Sequence, residues 1–389
     1  MPVSTRLSET ATLRQPALSA SRRFHLRFAH FHPSGGLRRA LEAHCARGLT
    51  FLLIVSVFAG ARVSEARCSD GVSPISTGFG ATGPHAVTHF EVENPAWGRR
   101  PAIVHHPEDP ASAPWPVVFF AHGLGATSPL HYQQWIDHMV SRGFAVVYAP
   151  YPTVATEHGR RYQVLWRGFE AGLRALGARA DSTRVGFIGH SYGGGATPSL
   201  AHRALVERGW GSRGAFLVVL APWYVLGIEP PLLRELPDHT RLLVQVYDRE
   251  RINDHQIAID LYEDLKVPAS QKVFVTLRSD ERGGCKLRAG HTTPATDGLR
   301  GHVDALDHHG VFRLVDAVAA DSLHGDERAR SLAFDPENPQ HTDMGHWPDG
   351  SPVRPLTSTR APTAERPTGS FRFRANRKEF WIHADELEF

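Results

Sequence analysis

The sequence predicts an α/β fold, a mostly parallel central sheet with helices on both faces, and three observations predict it. Trp115–Ala121 (WPVVFFA) is an unbroken apolar run, the mark of a strand buried on both sides. Similar runs at 144–149 (FAVVYA), 241–247 (RLLVQVY) and 272–277 (KVFVTL) alternate with segments of helical periodicity, the pattern of strands joined by covering helices. Residues 184–205 read as a short strand, a glycine-rich turn and a helix opening on small residues.

In chain order, residues 67–84 are rich in Gly, Ser, Thr and Pro and read as a loose lead-in. Val87–Val92 and 102–106 alternate in strand fashion ahead of the buried strand Trp115–Ala121. A helix is expected over 131–142 and a strand over 144–149. Across 162–176 the apolar residues Val164, Leu165, Phe169, Leu173 and Leu176 recur at helical spacing. The strand at 184–188 leads through the turn into a helix at 194–205. Strands at 215–220 and 241–247, a helix at 255–265 and the strand Lys272–Leu277 follow. Residues 299–323 read as a closing helix with Val303, Leu306, Val311, Leu314, Val315 and Val318 on its apolar side. From about Phe334 the composition turns to Pro, Thr, Ser, Asp and Arg, which reads as a weakly ordered C-terminal extension over 334–389. Within it Phe371-Arg372-Phe373-Arg374 alternates like an edge strand, and Phe380 and Trp381 are its apolar anchors.

The chain has 389 residues, 41% hydrophobic and 21% charged, an ordinary globular composition. Its formal charge of +3 is unevenly spread: residues 1–66 hold nine arginines against three acids, a balance of +6 that leaves −3 on residues 67–389. The larger part therefore lacks the basic excess that recruits nucleic acid or anionic lipid. Residues 49–61 (LTFLLIVSVFAGA) are a thirteen-residue apolar run behind Arg47, short for a membrane span and right for the core of a signal peptide. Residues 1–66 thus read as a targeting leader, with small residues at Ala59-Gly60-Ala61 and Ser64-Glu65-Ala66 for cleavage. The domain of 67–333 and its extension are expected in an extracytoplasmic compartment, secreted or periplasmic, with no stable membrane span. Of the three cysteines, Cys45 leaves with the leader; Cys68 and Cys285 then either pair or stand as separate thiols.

Gly189-His190-Ser191-Tyr192-Gly193 is a G-x-S-x-G sequence in the strand, turn and helix context that gives the motif meaning. A serine on so tight a turn takes strained backbone angles, and side chains two positions away would collide with the neighbouring strand and helix. Ser191 is the candidate nucleophile. The structural alternative is a glycine-rich loop that only turns the chain.

With its flanks, Gly-His-Ser-Tyr-Gly-Gly-Gly resembles the nucleophile elbow of the α/β-hydrolase superfamily, especially the GHSxGG elbow of secreted dienelactone-hydrolase-like and polyester-hydrolase-like esterases. The likeness extends in order and spacing over residues 85–325. It implies the α/β-hydrolase fold, a serine hydrolase acting on carboxylic esters through an acyl-enzyme, a small-molecule or polymeric ester as substrate, and no cofactor. It also implies the order Ser, acid, His along the chain. The acid belongs after the strand at 241–247, where the family's spacing selects Glu250, with Ile252 as the following aliphatic residue; Asp254 and Asp248 are the alternatives. Asp254 is also well placed to cap the next helix. The base belongs after Lys272–Leu277, where His291 is the first histidine and His302 the alternative. For an oxyanion hole, the resemblance points to the backbone amides of Tyr192 and of Leu124, in His122-Gly123-Leu124-Gly125.

The chain has 24 histidines, so most serve packing or the surface. His105-His106, His308-His309 and Asp254-His255 lack the helical spacing of metal ligands, and no metal is expected. No phosphate-binding glycine loop, Cys-x-x-Cys pair or nucleic-acid signature is present, and no nucleic-acid partner is expected. Two other functions fit the same residues: a peptidase or acyltransferase on the same triad, and a non-catalytic binding protein that keeps the fold. The short, Pro-rich apolar stretch 223–240 is expected to wall the acyl pocket and to favour short acyl groups.

Overall fold

A computed structural model describes residues 71–295, 303–364 and 370–381. Nine strands form one sheet: β1 (Val87–Val92), β2 (Ala102–Pro107), β3 (Trp115–Ala121), β4 (Ala145–Tyr148), β5 (Ala180–His190), β6 (Gly214–Leu220), β7 (Thr240–Tyr247), β8 (Lys272–Leu277) and, beyond the small hairpin of β9 (Asp280–Arg282) and β10 (Cys285–Leu287), β11 (Thr357–Thr359). The spatial order is β1-β2-β4-β3-β5-β6-β7-β8-β11. The six strands from β4 to β8 run parallel, while β1, β2 and β11 pair antiparallel with their neighbours. The fold is α/β with a large, mostly parallel sheet.

Burial explains why the central strands read as they do. β3, β6 and β7 are buried at every position, so neither face has a use for polar side chains. Side chains alternate across the sheet: Val117, Phe119 and Ala121 enter one core, Val118 and Phe120 the other. Helices α1 (Gln133–Ser141), α2 (His158–Leu176), α3 (Tyr192–His202), α4 (His255–Asp264), α5 (Arg313–His324) and α6 (Glu327–Phe334) cover these cores. Leu165 and Phe169 of α2, Leu200 of α3 and Leu261 of α4 fill the first. Trp135 and Met139 of α1, Leu314 and Val318 of α5 and Leu332 of α6 fill the second. A phenylalanine as completely buried as Phe119 or Phe120 contributes about 1.5–3 kcal/mol of transfer free energy.

The closing helix differs from its expected form. It begins with a wider π-type turn, Leu306–Phe312, before α5. There the Gly310 carbonyl accepts a hydrogen bond from the buried Gln245 side-chain amide (2.9 Å). After Phe334, the described residues include β11, which extends the sheet on β8, and Met344, Trp347, Val353 and Leu356, which are buried in the second core; residues 365–369 and 382–389 of the expected extension lie outside the described residues. These apolar residues are few and far apart, so composition conceals that they turn inward. His341 is wholly buried, bonded to the Leu332 carbonyl and to Ser358 Oγ, both at 2.6 Å.

Cys285 is disulfide-bonded. No helix among the described residues is long and apolar enough to cross a membrane. The leader 1–66 with its apolar run 49–61, and the side chains of Phe380 and Trp381, lie outside the described residues.

Candidate active site

Ser191 stands between the last residue of β5 and the first of α3, with φ 55° and ψ −118°, a conformation that L-residues rarely adopt. Three backbone hydrogen bonds hold it there. Its N–H donates to the Leu220 carbonyl (2.9 Å), and its carbonyl accepts from the amides of Gly195 (3.0 Å) and Trp223 (2.8 Å). The flanking glycines are sterically required. A Cβ on Gly193 would lie 1.9 Å from the Ala121 carbonyl oxygen, and one on Gly189 would lie 2.1 Å from Thr197 Oγ1.

Two loops converge on this turn. The loop after β10 carries His291, whose Nε2 is 2.9 Å from Ser191 Oγ. The loop after β7 carries Glu250, whose Oε2 is 2.8 Å from His291 Nδ1. Glu250 is completely buried, and its Oε1 accepts from the backbone amides of Arg251 (2.8 Å), Ile252 (2.6 Å) and Asn253 (3.3 Å). Burial by itself raises the carboxyl pKa, but the charge and hydrogen bond of His291 and the backbone amides outweigh it and hold the group below the ordinary glutamate value. A carboxylate only accepts, so Nδ1 of His291 carries the proton and Nε2 turns a lone pair to the serine hydroxyl.

No protein-family model and no curated protein matches this chain. The functional reading therefore rests on the geometry of the site.

That geometry distinguishes among the expected acids. Asp254 caps α4 by accepting from the Gln256 amide (3.0 Å), and its other oxygen accepts from the Ala375 amide (3.1 Å). Asp248 accepts from Ser279 Oγ (2.6 Å). Only Glu250 of the three meets His291. His302, the alternative base, lies outside the described residues.

The loop after β3 runs beside the nucleophile, since a Cβ on Gly123 would lie 3.5 Å from Ser191 Cβ. His122 fastens this loop. Its ring stacks on Tyr151 (4.1 Å, 8°), Nε2 accepts from the Tyr151 amide (3.3 Å), and Nδ1 donates to the Gly123 carbonyl (2.8 Å). Burial pushes the pKa of His122 down to about 3, so the imidazole stays neutral. The Gly123 amide is committed to Tyr132 Oη (3.0 Å), whereas the Leu124 amide donates to no group among the described residues. Tyr192 N–H is the first amide of α3, and the opening amides of a helix point out past its N-terminus, where Ser191 sits. Leu124 and Tyr192, the two donors that the resemblance implied, thus lie on the two segments that flank Ser191.

Trp223, from the stretch expected to wall the acyl pocket, stacks on Tyr192 (5.4 Å, 25°) and meets Phe373 edge-on (5.7 Å, 90°). Phe373 also ties down the acid loop. Its amide donates to the Ile252 carbonyl (2.8 Å) and its carbonyl accepts from the Asp254 amide (2.9 Å). Sequence reasoning assigned this segment no chemistry, and it assigned no role to Tyr132 or to the side chain of His190. Nothing in their spacing links them to the site. Two cavities of about 510 and 360 Å³ lie against β1 and β2, and no triad residue lines either. Among the described residues no three His, Cys, Asp or Glu side chains gather as a metal site.

Proposed function

We propose that this chain is an exported serine hydrolase of the α/β-hydrolase fold that cleaves carboxylic esters through an acyl-enzyme. The observation that carries the reading is the continuous path Ser191 Oγ, His291 Nε2 (2.9 Å), His291 Nδ1, Glu250 Oε2 (2.8 Å) at a strained strand-to-helix turn. The mostly parallel sheet and the chain order Ser191, Glu250, His291 support the fold assignment. The disulfide at Cys285 supports an oxidising compartment.

In the proposed reaction, Ser191 Oγ bonds to the ester carbonyl carbon while its proton passes to His291 Nε2. The carbonyl π electrons move onto oxygen, which faces the amides of Leu124 and Tyr192. Collapse breaks the bond to the leaving alkoxide, which takes the proton from Nε2 and departs as alcohol. Water then adds to the acyl carbon, giving a proton to Nε2, and the second collapse returns that proton to Ser191 as the acid leaves. Glu250 stabilises the imidazolium formed in both halves. Trp223, Tyr224 and Leu226 are buried apolar residues of the loop beside the nucleophile and favour small acyl groups; activity peaking at long acyl chains would contradict that selectivity.

The test is hydrolysis of p-nitrophenyl acetate and butyrate by the protein and by Ser191→Ala. The unmutated protein is expected to turn both over, and the variant to lose about 10⁴-fold or more. Equal silence favours the non-catalytic binding reading. Equal activity removes Ser191 from the role of nucleophile.

A further inference from the structure

His190 sits between Gly189 and Ser191, and its side chain is buried. Its Nε2 lies 2.8 Å from the backbone carbonyl oxygen of His291, and its Nδ1 lies 2.7 Å from Tyr132 Oη. Tyr132 Oη in turn lies 3.0 Å from the Gly123 amide nitrogen. Every proton along this line follows by elimination. A carbonyl only accepts, so Nε2 of His190 carries the proton. Nδ1 is then the bare nitrogen, and Tyr132 must donate to it. The tyrosine oxygen is left to accept, which is what the Gly123 amide requires. Burial keeps both side chains in these states. Desolvation, and then the charge of His291, push the pKa of His190 down to about 3, and burial pushes that of the Tyr132 phenol up.

The line connects three segments that the chain order keeps apart: the loop after β3, the end of β5 and the loop after β10. The base-bearing loop closes on itself through the Thr293 amide and the Gly290 carbonyl (3.0 Å), and His190 joins its backbone to the nucleophile's strand. We propose that Tyr132 and His190 are positioning residues, a one-directional hydrogen-bond chain from Gly123 N–H to the His291 carbonyl that locks the oxyanion loop and the base loop onto Ser191 in one geometry. The proposal rests on the triad reading above. It also explains why Leu124 rather than Gly123 supplies the oxyanion donor, because the Gly123 amide is already spent on Tyr132. Displacing a catalytic group by even 1 Å lowers turnover by about 10²-fold, so small losses of register at these loops are felt in kcat.

Three variants separate the parts. Tyr132→Phe removes one oxygen and leaves the Gly123 amide and His190 Nδ1 unmatched. His190→Gln keeps an amide N–H at the Nε2 end, towards the His291 carbonyl; His190→Asn puts its amide at the Nδ1 end and loses that bond. Titrating Ser191 with a phosphonate counts competent sites, so turnover is read per active molecule and misfolded material drops out. Tyr132→Phe and His190→Asn are expected to lower kcat per titrated site by between about tenfold and about a hundredfold. KM should stay within about twofold, and His190→Gln should recover most of the loss. The Tyr132→Phe/His190→Asn double variant is expected to lose little more than the worse single one, as members of one network do. A purely structural role would reduce the number of titratable sites and leave kcat per site unchanged, and that result overturns the proposal while leaving the triad intact. If Ser191→Ala is as active as the unmutated protein, the triad reading and this inference fall together.

Discussion

Glu250 shows how much of the chemistry depends on single atoms. One of its carboxylate oxygens is saturated by three backbone amides and the other faces His291, so the side chain has no freedom to serve elsewhere. Glu250→Gln keeps the size and abolishes the charge. Its amide would either present an N–H to His291 Nδ1 or forfeit the backbone donors, and the imidazole would adopt the wrong tautomer. The expected loss in kcat is about 10⁴-fold, measured on p-nitrophenyl butyrate, with Ser191 still present and the fold retained. Activity within tenfold of the unmutated protein would exclude Glu250 as the orienting acid. At this scale Ser191 was legible in the sequence because its turn demands glycines on both sides, and His291 because it is the first histidine after the last parallel strand. Tyr132 was not. It lies 58 residues from His190, and no local pattern records a bond between side chains that only folding brings together.

Among the elements, the buried strands were the most legible: Trp115–Ala121 and Lys272–Leu277 begin and end where the apolar runs do. The helix after the nucleophile starts at Tyr192, two residues before the expected position. Glycine disfavours helix, but tertiary packing overrides that preference here: a Cβ on Gly195 would lie 2.4 Å from the Tyr224 carbonyl oxygen and one on Gly193 would strike the Ala121 carbonyl oxygen. Because the obstacle at Gly193 is backbone, it cannot swing aside. Gly193→Ala is expected to destabilise the protein by about 3 kcal/mol, at the upper end of overpacking penalties, and denaturant unfolding with a shift below about 1 kcal/mol would refute the close approach. The segment around Phe373 makes the complementary point. It pairs with the acid loop at Ile252 and Asp254 and packs against Trp223, so Phe373→Ala should cost about 1–3 kcal/mol and lower kcat together with stability. Chemical denaturation and ester hydrolysis on the same sample check both halves of that expectation. Composition hid this segment because its contacts are made by backbone groups and by two phenylalanines.

For the molecule as a whole, buried histidines set the response to acid. His105, His122 and His190 are buried, and desolvation pushes their pKa values down to about 4, 3 and 3. Below about pH 6.5 the unfolded chain protonates these rings while the folded chain does not, so stability falls as the pH drops from 6.5 towards 4. At about pH 5 unfolding should take up about three protons from this source. Glu250 acts in a lower window: its depressed pKa contributes stability above about pH 4.5 that is lost as the pH falls through the folded value. Unfolding free energies measured across pH 4–7 are expected to rise with pH; a flat or falling curve would show that these rings are charged in the folded state. By itself the sequence determined the α/β class and the strained turn at Ser191, because burial on both faces and a crowded turn leave marks within a few residues of one another. The tertiary structure alone decided which of three carboxylates meets His291, joined Tyr132 and His190 to the base loop, and drew the C-terminal segment against the acid loop. Those contacts join residues that the chain separates by tens to more than a hundred positions, and no short-range pattern in a sequence carries the information of where two distant segments will meet.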